Sequence, residues 1–380
     1  MIINESMTEC KMDKKQKKYK MFLWGTGRVA QRIFEQCQIV NIYDVLGFID
    51  NDVDRAGHMF NGLKIYPPSI LSSIVPEKIV ILADAYEEIC AQIRKNYPEL
   101  EPLIENKYFF YKETIFRRYA EDKNEEIIEV LNYIKDNGLN IFNYKFTEKY
   151  KKLNVNVYFD ATNEMFYVLH FGKRMYFPRD WKNKERITEY YRNILMEQDA
   201  FSPHRYLTID FQVEDNDVVV DVGAAEGNFS LEIIDRVSKI YIIESDEKWI
   251  EALKETFRSY SEKVIFINKF ITSYNEGKFA TLDSLIGDSV NFIKMDIEGN
   301  EWEALCGAER LIKKSKKLKC TICSYHRDVD EILIKDVLKK NEFEYMTTPG
   351  FMWYPGLARQ SYISTKLNRA IVKGIRMVDE

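Results

Sequence analysis

At 380 residues, with 46% hydrophobic and 14% aromatic side chains, the chain is long enough for two or three cores and too apolar to be disordered. A net charge of −5 and a pI near 5.7 argue against nucleic acid or an anionic membrane as a partner. No apolar run reaches the roughly 18 residues of a membrane helix and no apolar stretch follows the basic start, so a soluble, cytoplasmic protein without an integral membrane segment is expected.

The chain opens on lysines (Lys11, Lys14, Lys15, Lys17, Lys18, Lys20), which read as a solvated tail. A first block, 20–118, begins with the apolar strand Tyr19–Trp24. Gly25-Thr-Gly-Arg-Val-Ala30 then opens a helix through Val29, Ile33, Phe34 and Cys37, and the next strand, Val45–Ile49, ends in Asp50. This G-x-G-x-x-A turn with a distant acid makes Gly25, Gly27 and Asp50 a candidate nucleotide site. Further strands are expected at Gly62–Tyr66 and Ile79–Ala83, with a helix over Tyr86–Arg94. That is about half of a dinucleotide fold, better suited to a mononucleotide or nucleotide-sugar than to a full NAD. The alternative is a module that only positions or dimerises the protein. A Tyr108-x-x-x-Lys112 spacing lacks the serine that an oxidoreductase would need, and reads as chance.

The second block, 119–206, opens with a helix marked by Ile127, Val130, Leu131 and Ile134. A hairpin is expected from Val155–Phe159 to Met165–Phe171. The aromatic and charged stretch Arg174–Tyr206 follows, with Glu197-Gln-Asp199 and Ser202-Pro-His-Arg-Tyr206. It reads either as a lid or substrate wall, or as a packed linker with an inert His204.

The third block, 207–380, alternates strands (Val218–Asp221, Ile240–Glu244, Val264–Asn268, Val290–Asp296, Lys319–Tyr325) with helices (Asn228–Val237, Glu247–Tyr260, Glu301–Lys314, Val329–Lys340). A closing hairpin is expected over Glu344–Thr365. This alternation predicts an α/β, doubly wound, mostly parallel sheet with its ligands outside the carboxyl ends of the strands.

The strongest motif is Asp221-Val-Gly-Ala-Ala-Glu-Gly-Asn-Phe229, a buried strand that ends in an acid, turns on glycines and enters a helix. No Lys-Ser/Thr pair follows, which excludes a GxxxxGK[ST] phosphate loop. Glu244, at the end of the next strand, can take both hydroxyls of a ribose. Acids at both strand ends suit a cationic, phosphate-free adenosine ligand, and S-adenosylmethionine is such a ligand. Asp221 would hold its amino group, Gly223, Glu226 and Gly227 would shape the methionine end, and Asn268 and Asp283 would flank the adenine.

A second motif, Asp296-Ile-Glu298-Gly-Asn-Glu301, puts three carboxylates at the fourth strand end, either as a substrate or divalent-metal site or as a solvated helix start. The fifth strand ends in Tyr325-His326-Arg327-Asp328, where His326 could face Asp296. A near-neutral histidine held by a carboxylate is a general base for methyl transfer to a hydroxyl, so His326 and Asp296 are the catalytic candidates. The six cysteines (Cys10, Cys37, Cys90, Cys306, Cys320, Cys323) are too scattered for a disulfide framework, and Cys320-x-x-Cys323 lacks the second pair of a zinc site.

With Thr281-Leu-Asp283 and Leu305-Cys-Gly-Ala308 added, these motifs resemble the FkbM family of S-adenosylmethionine-dependent methyltransferases over 206–345. The resemblance implies a class I methyltransferase fold and O-methylation of a sugar or polyketide-type hydroxyl. Ala225 departs from the pattern, where the family more often carries asparagine. The first block is similar to nucleotide-sugar-binding Rossmann modules of surface-glycan enzymes, through Trp24–Ala30, Gly47–Asp52 and Gly62–Tyr66, which points to polysaccharide biosynthesis. Expected partners are a small-molecule or glycan substrate and a second copy of the chain. The rival expectation is a non-catalytic nucleotide-sugar-binding or scaffold protein.

Overall fold

The computed structural model describes residues 19–37, 39–356 and 364–378. The expected basic tail (Lys11 to Lys18), Cys10 and the stretch 357–363 of the expected hairpin lie outside them. The chain divides into two compact units, the first closing at Arg118 and the second opening at Tyr119.

The first unit is a six-stranded sheet. Its spatial order is Met59–Phe60, Leu63–Tyr66, Asp44–Ile49, Lys20–Trp24, Lys78–Ile81, Ile104–Glu105. All pairs are parallel except the edge pair Met59–Phe60 with Leu63–Tyr66. Parallel strands need both faces covered, and alternate residues therefore all run apolar. Phe22, Trp24, Ile49, Ile79 and Ile81 form one core with Ile89 and Ile93 of the helix Tyr86–Asn96.

The second unit carries a seven-stranded sheet. In chain order its strands are Val218–Val222, Lys239–Ile243, Val264–Ile267, Phe292–Met295, Lys317–Cys323, Glu344–Thr347 and Ile371–Met377. The spatial order is third, second, first, fourth, fifth, seventh, sixth. The first five pair in parallel, and the seventh inserts antiparallel between the fifth and the sixth. The order reverses beside the first strand, so a crevice opens where the first and fourth strands end. This is the doubly wound architecture of the class I methyltransferase fold.

Three local expectations need correction. The hairpin expected over Glu344–Thr365 does not form the sheet edge: Glu344–Thr347 pairs with Ile371–Met377, well past Thr365. The helix expected over Glu301–Lys314 breaks into Glu301–Cys306 and Glu309–Lys314. The block 119–206 is no separate connector, because it belongs to the second unit. It supplies the helix Glu125–Asn137, a three-stranded antiparallel sheet (Tyr158–Asp160, Met165–His170, Lys173–Tyr176) and the helix Lys184–Glu197. Among the described residues no helix is long and apolar enough to cross a membrane.

Candidate active site

The glycine turn is shaped by what lies against it. Gly223 has φ +76°, and a Cβ there would stand 1.8 Å from the carbonyl oxygen of Asp296, so no other residue fits. A Cβ on Gly227 would meet Leu253 and Phe257 at 2.7 and 2.9 Å. Ala225 between them is left-handed at φ +44°, a region that asparagine tolerates better than alanine. Its amide donates to Glu244 Oε2 at 2.9 Å, while Glu244 Oε1 accepts from the Asp246 amide at 2.9 Å. The Glu244 carboxylate thus bridges the two strand ends and keeps lone pairs for a ligand.

Asp221 is fully buried and committed. Ser230 Oγ donates to its Oδ2 at 2.7 Å, and Lys294 Nζ lies 3.1 Å from its Oδ1. Lys294 also donates to the Gly223 carbonyl at 2.6 Å. Burial works against the Lys294 charge, but Asp221 and Asp296 outweigh it and hold the ammonium well above its usual pKa. Asp221 is therefore an internal counter-ion with no route to a ligand's amino group. Asp283 is committed as well. Its two oxygens accept from the amides of Arg310 and Leu311 at 3.0 and 2.7 Å, capping the helix that starts after the break at Gly307-Ala308. That corrects the expectation that Asp283 flanks the adenine. Asn268 is exposed at the third strand end, where its amide braces the Glu244 and Ser245 carbonyls at 2.9 and 3.1 Å.

The fourth and fifth strand ends do bring Asp296 and His326 together, as expected, but their roles differ from the expectation. His326 Nε2 lies 3.4 Å from Asp296 Oδ1, and its Nδ1 lies 2.9 Å from Glu301 Oε1. Burial alone would lower its pKa, yet Glu301 and Asp296 raise it to about 9. At neutral pH His326 is an imidazolium clamped at both nitrogens, and so is not a free base. Asp296 is held as a carboxylate despite burial. His326, Lys294 and His204 bring its pKa to about 2, and the Tyr206 hydroxyl donates to its Oδ2 at 2.8 Å. The Asp296 side chain keeps 20% exposure against 1% for His326 and none for Glu301, so Asp296 is the member of this group that a substrate can reach.

The expected metal set also changes. Glu298 leaves Asp296 and Glu301 and accepts from the Tyr354 hydroxyl at 3.3 Å. The groups that converge are Asp296, Glu301 and His326. Because His326 already neutralises both carboxylates, this trio is explained without a cation.

Several site residues come from the second block. His204, neither exposed nor inert, lies 3.2 Å from the Tyr325 hydroxyl and 3.8 Å from Asp296 Oδ2. Burial drops its pKa to about 4, so it is neutral. Tyr190, wedged between Trp181 and Trp249 at 5.0 and 5.9 Å, donates to Glu226 Oε2 at 2.8 Å. Burial raises the Glu226 carboxyl to about 7. Of the groups missed, Lys294 carried a signal: a lysine inside the apolar run Phe292-Ile-Lys-Met295 demands a buried partner.

In the first unit, Asp50 is likewise turned inward. Its Oδ2 takes the Thr26 amide at 3.1 Å and the Thr26 hydroxyl, its Oδ1 takes the Asp52 amide at 3.0 Å, and Arg55 lies 3.7 Å away. Gly25, at φ +110°, stands against Ala83. Gly27 has ordinary φ of −85°, and nothing lies within 4 Å of a Cβ built there.

The fold and the paired strand ends are those of a methyltransferase. Residues 239–345 match the methyltransferase FkbM domain, and residues 17–100 match the C2185-like, N-terminal domain. No curated protein matches the chain. Among solved structures, an FkbM methyltransferase from Methylobacillus flagellatus KT is 16% identical, covering 93% of this chain and 89% of its own at a TM-score of 0.42. The magnesium protoporphyrin IX methyltransferase of Synechocystis PCC 6803, with bound SAM, is 15% identical, with 51% and 85% covered and a TM-score of 0.34. A putative methyltransferase from Streptococcus mutans in complex with SAH is 12% identical, with 43% and 91% covered and a TM-score of 0.32. Likenesses this distant carry no functional weight.

Proposed function

We propose that the second unit transfers a methyl group from S-adenosylmethionine to a hydroxyl of a sugar. The observation that carries this reading is the convergence at one crevice of the Glu244-bridged glycine turn and an accessible, ionised Asp296. When bound, the cofactor supplies an electrophilic methyl group on a sulfonium. Glu244 has acceptor capacity left for ribose hydroxyls, and Gly223 and Gly227 keep the turn tight beneath the methionine end. Asp296 orients the acceptor hydroxyl and takes its proton. A carboxylate of low pKa suffices, since the hydroxyl becomes strongly acidic only as its oxygen gains the methyl group. His326 keeps Asp296 charged, and Tyr206 and His204 fix its direction. No step in this scheme needs a metal.

The test is transfer of labelled methyl from S-adenosylmethionine into glycan and nucleotide-sugar fractions. Transfer into a sugar hydroxyl is expected. Cofactor binding without transfer to any fraction would favour a non-catalytic binding protein. Glu244→Ala should weaken S-adenosylmethionine about 10- to 100-fold in calorimetry, the worth of a charged hydrogen bond. Unchanged affinity in a folded variant would remove the ribose assignment.

For the first unit, the open space at Gly27 favours a nucleotide-sugar site at the start of the helix Arg28–Gln36. Gly27→Val meets no neighbour and no strained φ, so it should abolish uridine-nucleotide-sugar binding while leaving S-adenosylmethionine binding intact. If the wild-type chain binds no nucleotide-sugar at millimolar concentration, the unit is structural.

A further inference from the structure

The carboxylate expected to meet the cofactor's amino group, Asp221, is spent on Lys294 and Ser230. A second carboxylate nearby has no such commitment. Glu197 ends the helix Lys184–Glu197, two turns after Tyr190 and on the same stripe of it. Tyr190 bonds Glu226 in the glycine turn, and Tyr206, on the segment that leaves this helix, bonds Asp296. That segment is pinned: Arg205 bonds the Gln198 carbonyl and Glu232, and Gln198 accepts from the Tyr206 amide. Glu197 therefore stands between the turn and Asp296. The charged groups acting on it are Asp296, Glu226, Lys294 and Glu298, from four different segments of the crevice. Lys294, the one cation of these, is committed to Asp221. Among the described residues nothing bonds the Glu197 carboxylate.

We propose that Glu197 receives the α-ammonium group of S-adenosylmethionine, the duty from which Lys294 displaces Asp221. The proposal rests on the cofactor reading above. Burial, with Asp296 and Glu226 adding repulsion, raises the Glu197 carboxyl to about 8. At neutral pH the empty crevice thus holds a proton on Glu197, and an incoming ammonium drives it off. Binding should release that proton and tighten as the pH rises through about 8.

Calorimetry on the full chain separates the outcomes, using S-adenosylmethionine, S-adenosylhomocysteine and 5′-methylthioadenosine, which lacks the amino-acid part. Glu197→Gln should weaken the first two about 10- to 100-fold and leave the third unchanged. Titrations in buffers of different ionisation enthalpy should show proton release that shrinks in the variant, Glu226 supplying what remains. Wild-type affinity for S-adenosylmethionine in Glu197→Gln overturns the proposal and leaves the cofactor reading standing. An equal loss for all three ligands makes Glu197 structural and also overturns it. A wild-type chain that binds none of the three brings down the cofactor reading itself, and the proposal with it.

Discussion

Asp296→Asn should lower turnover by about 10²–10⁴-fold while S-adenosylmethionine affinity stays near wild type. The amide keeps the shape and can still meet Tyr206, but it cannot take a proton. Loss confined to turnover is the mark of a group that acts on the acceptor and not on the cofactor. The pH profile separates this from the histidine-base scheme. With Asp296 ionised from about pH 2 and His326 protonated up to about 9, turnover at saturating cofactor should stay level through the neutral range. A turnover that climbs until His326 loses its proton would restore His326 as the base. So would an Asp296→Asn enzyme of wild-type rate that dies with His326→Ala.

Lys294→Met should destabilise the second unit by about 3–5 kcal/mol, because it strands Asp221 as an unpaired charge with no exposure. Urea unfolding followed by tryptophan fluorescence reads this, since Trp181, Trp249, Trp302 and Trp353 all belong to that unit. The loss should shrink in acid. Stranded in the variant, Asp221 is forced to take up a proton on folding, and the cost of that uptake falls as the pH is lowered. The double change Asp221→Asn with Lys294→Met should recover most of the stability, as the stranded charge is gone and Ser230 keeps its acceptor. A single variant that loses less than about 1 kcal/mol would place the pair in the class of solvated surface bridges.

The strand ends, the glycine turn, Glu244 and the meeting of Asp296 with His326 were legible because each depends on local pattern or on strand order. A period-two apolar run ending in an acid declares itself within a few residues. What the pattern could not show is which partner each charge finds. Asp221 reads as a ligand-binding acid until the fourth strand is laid beside the first, which brings Lys294 to it. Asp283 reads as a binding residue until a break at Gly307 presents two free amides to it. His326 has the residue type of a base, and only the second carboxylate, Glu301, buried on the helix that follows the fourth strand, turns it into a fixed cation. The second block was the least legible. Tyr190, Glu197, His204 and Tyr206 are ordinary residues of an aromatic segment until it folds over the crevice.

The contact of the Asp296 carbonyl with Gly223 has a further consequence. Two motifs far apart in the chain share one van der Waals surface, and Lys294 laces them by bonding both Asp221 and the Gly223 carbonyl. Neither can be exchanged alone: a chimera that imports the Asp221–Gly227 turn from a distant homologue without its own Lys294–Asp296 segment inherits half of a lock. In recombination of such enzymes, the two segments should behave as one heritable cassette, with the breakpoints that preserve function falling outside both.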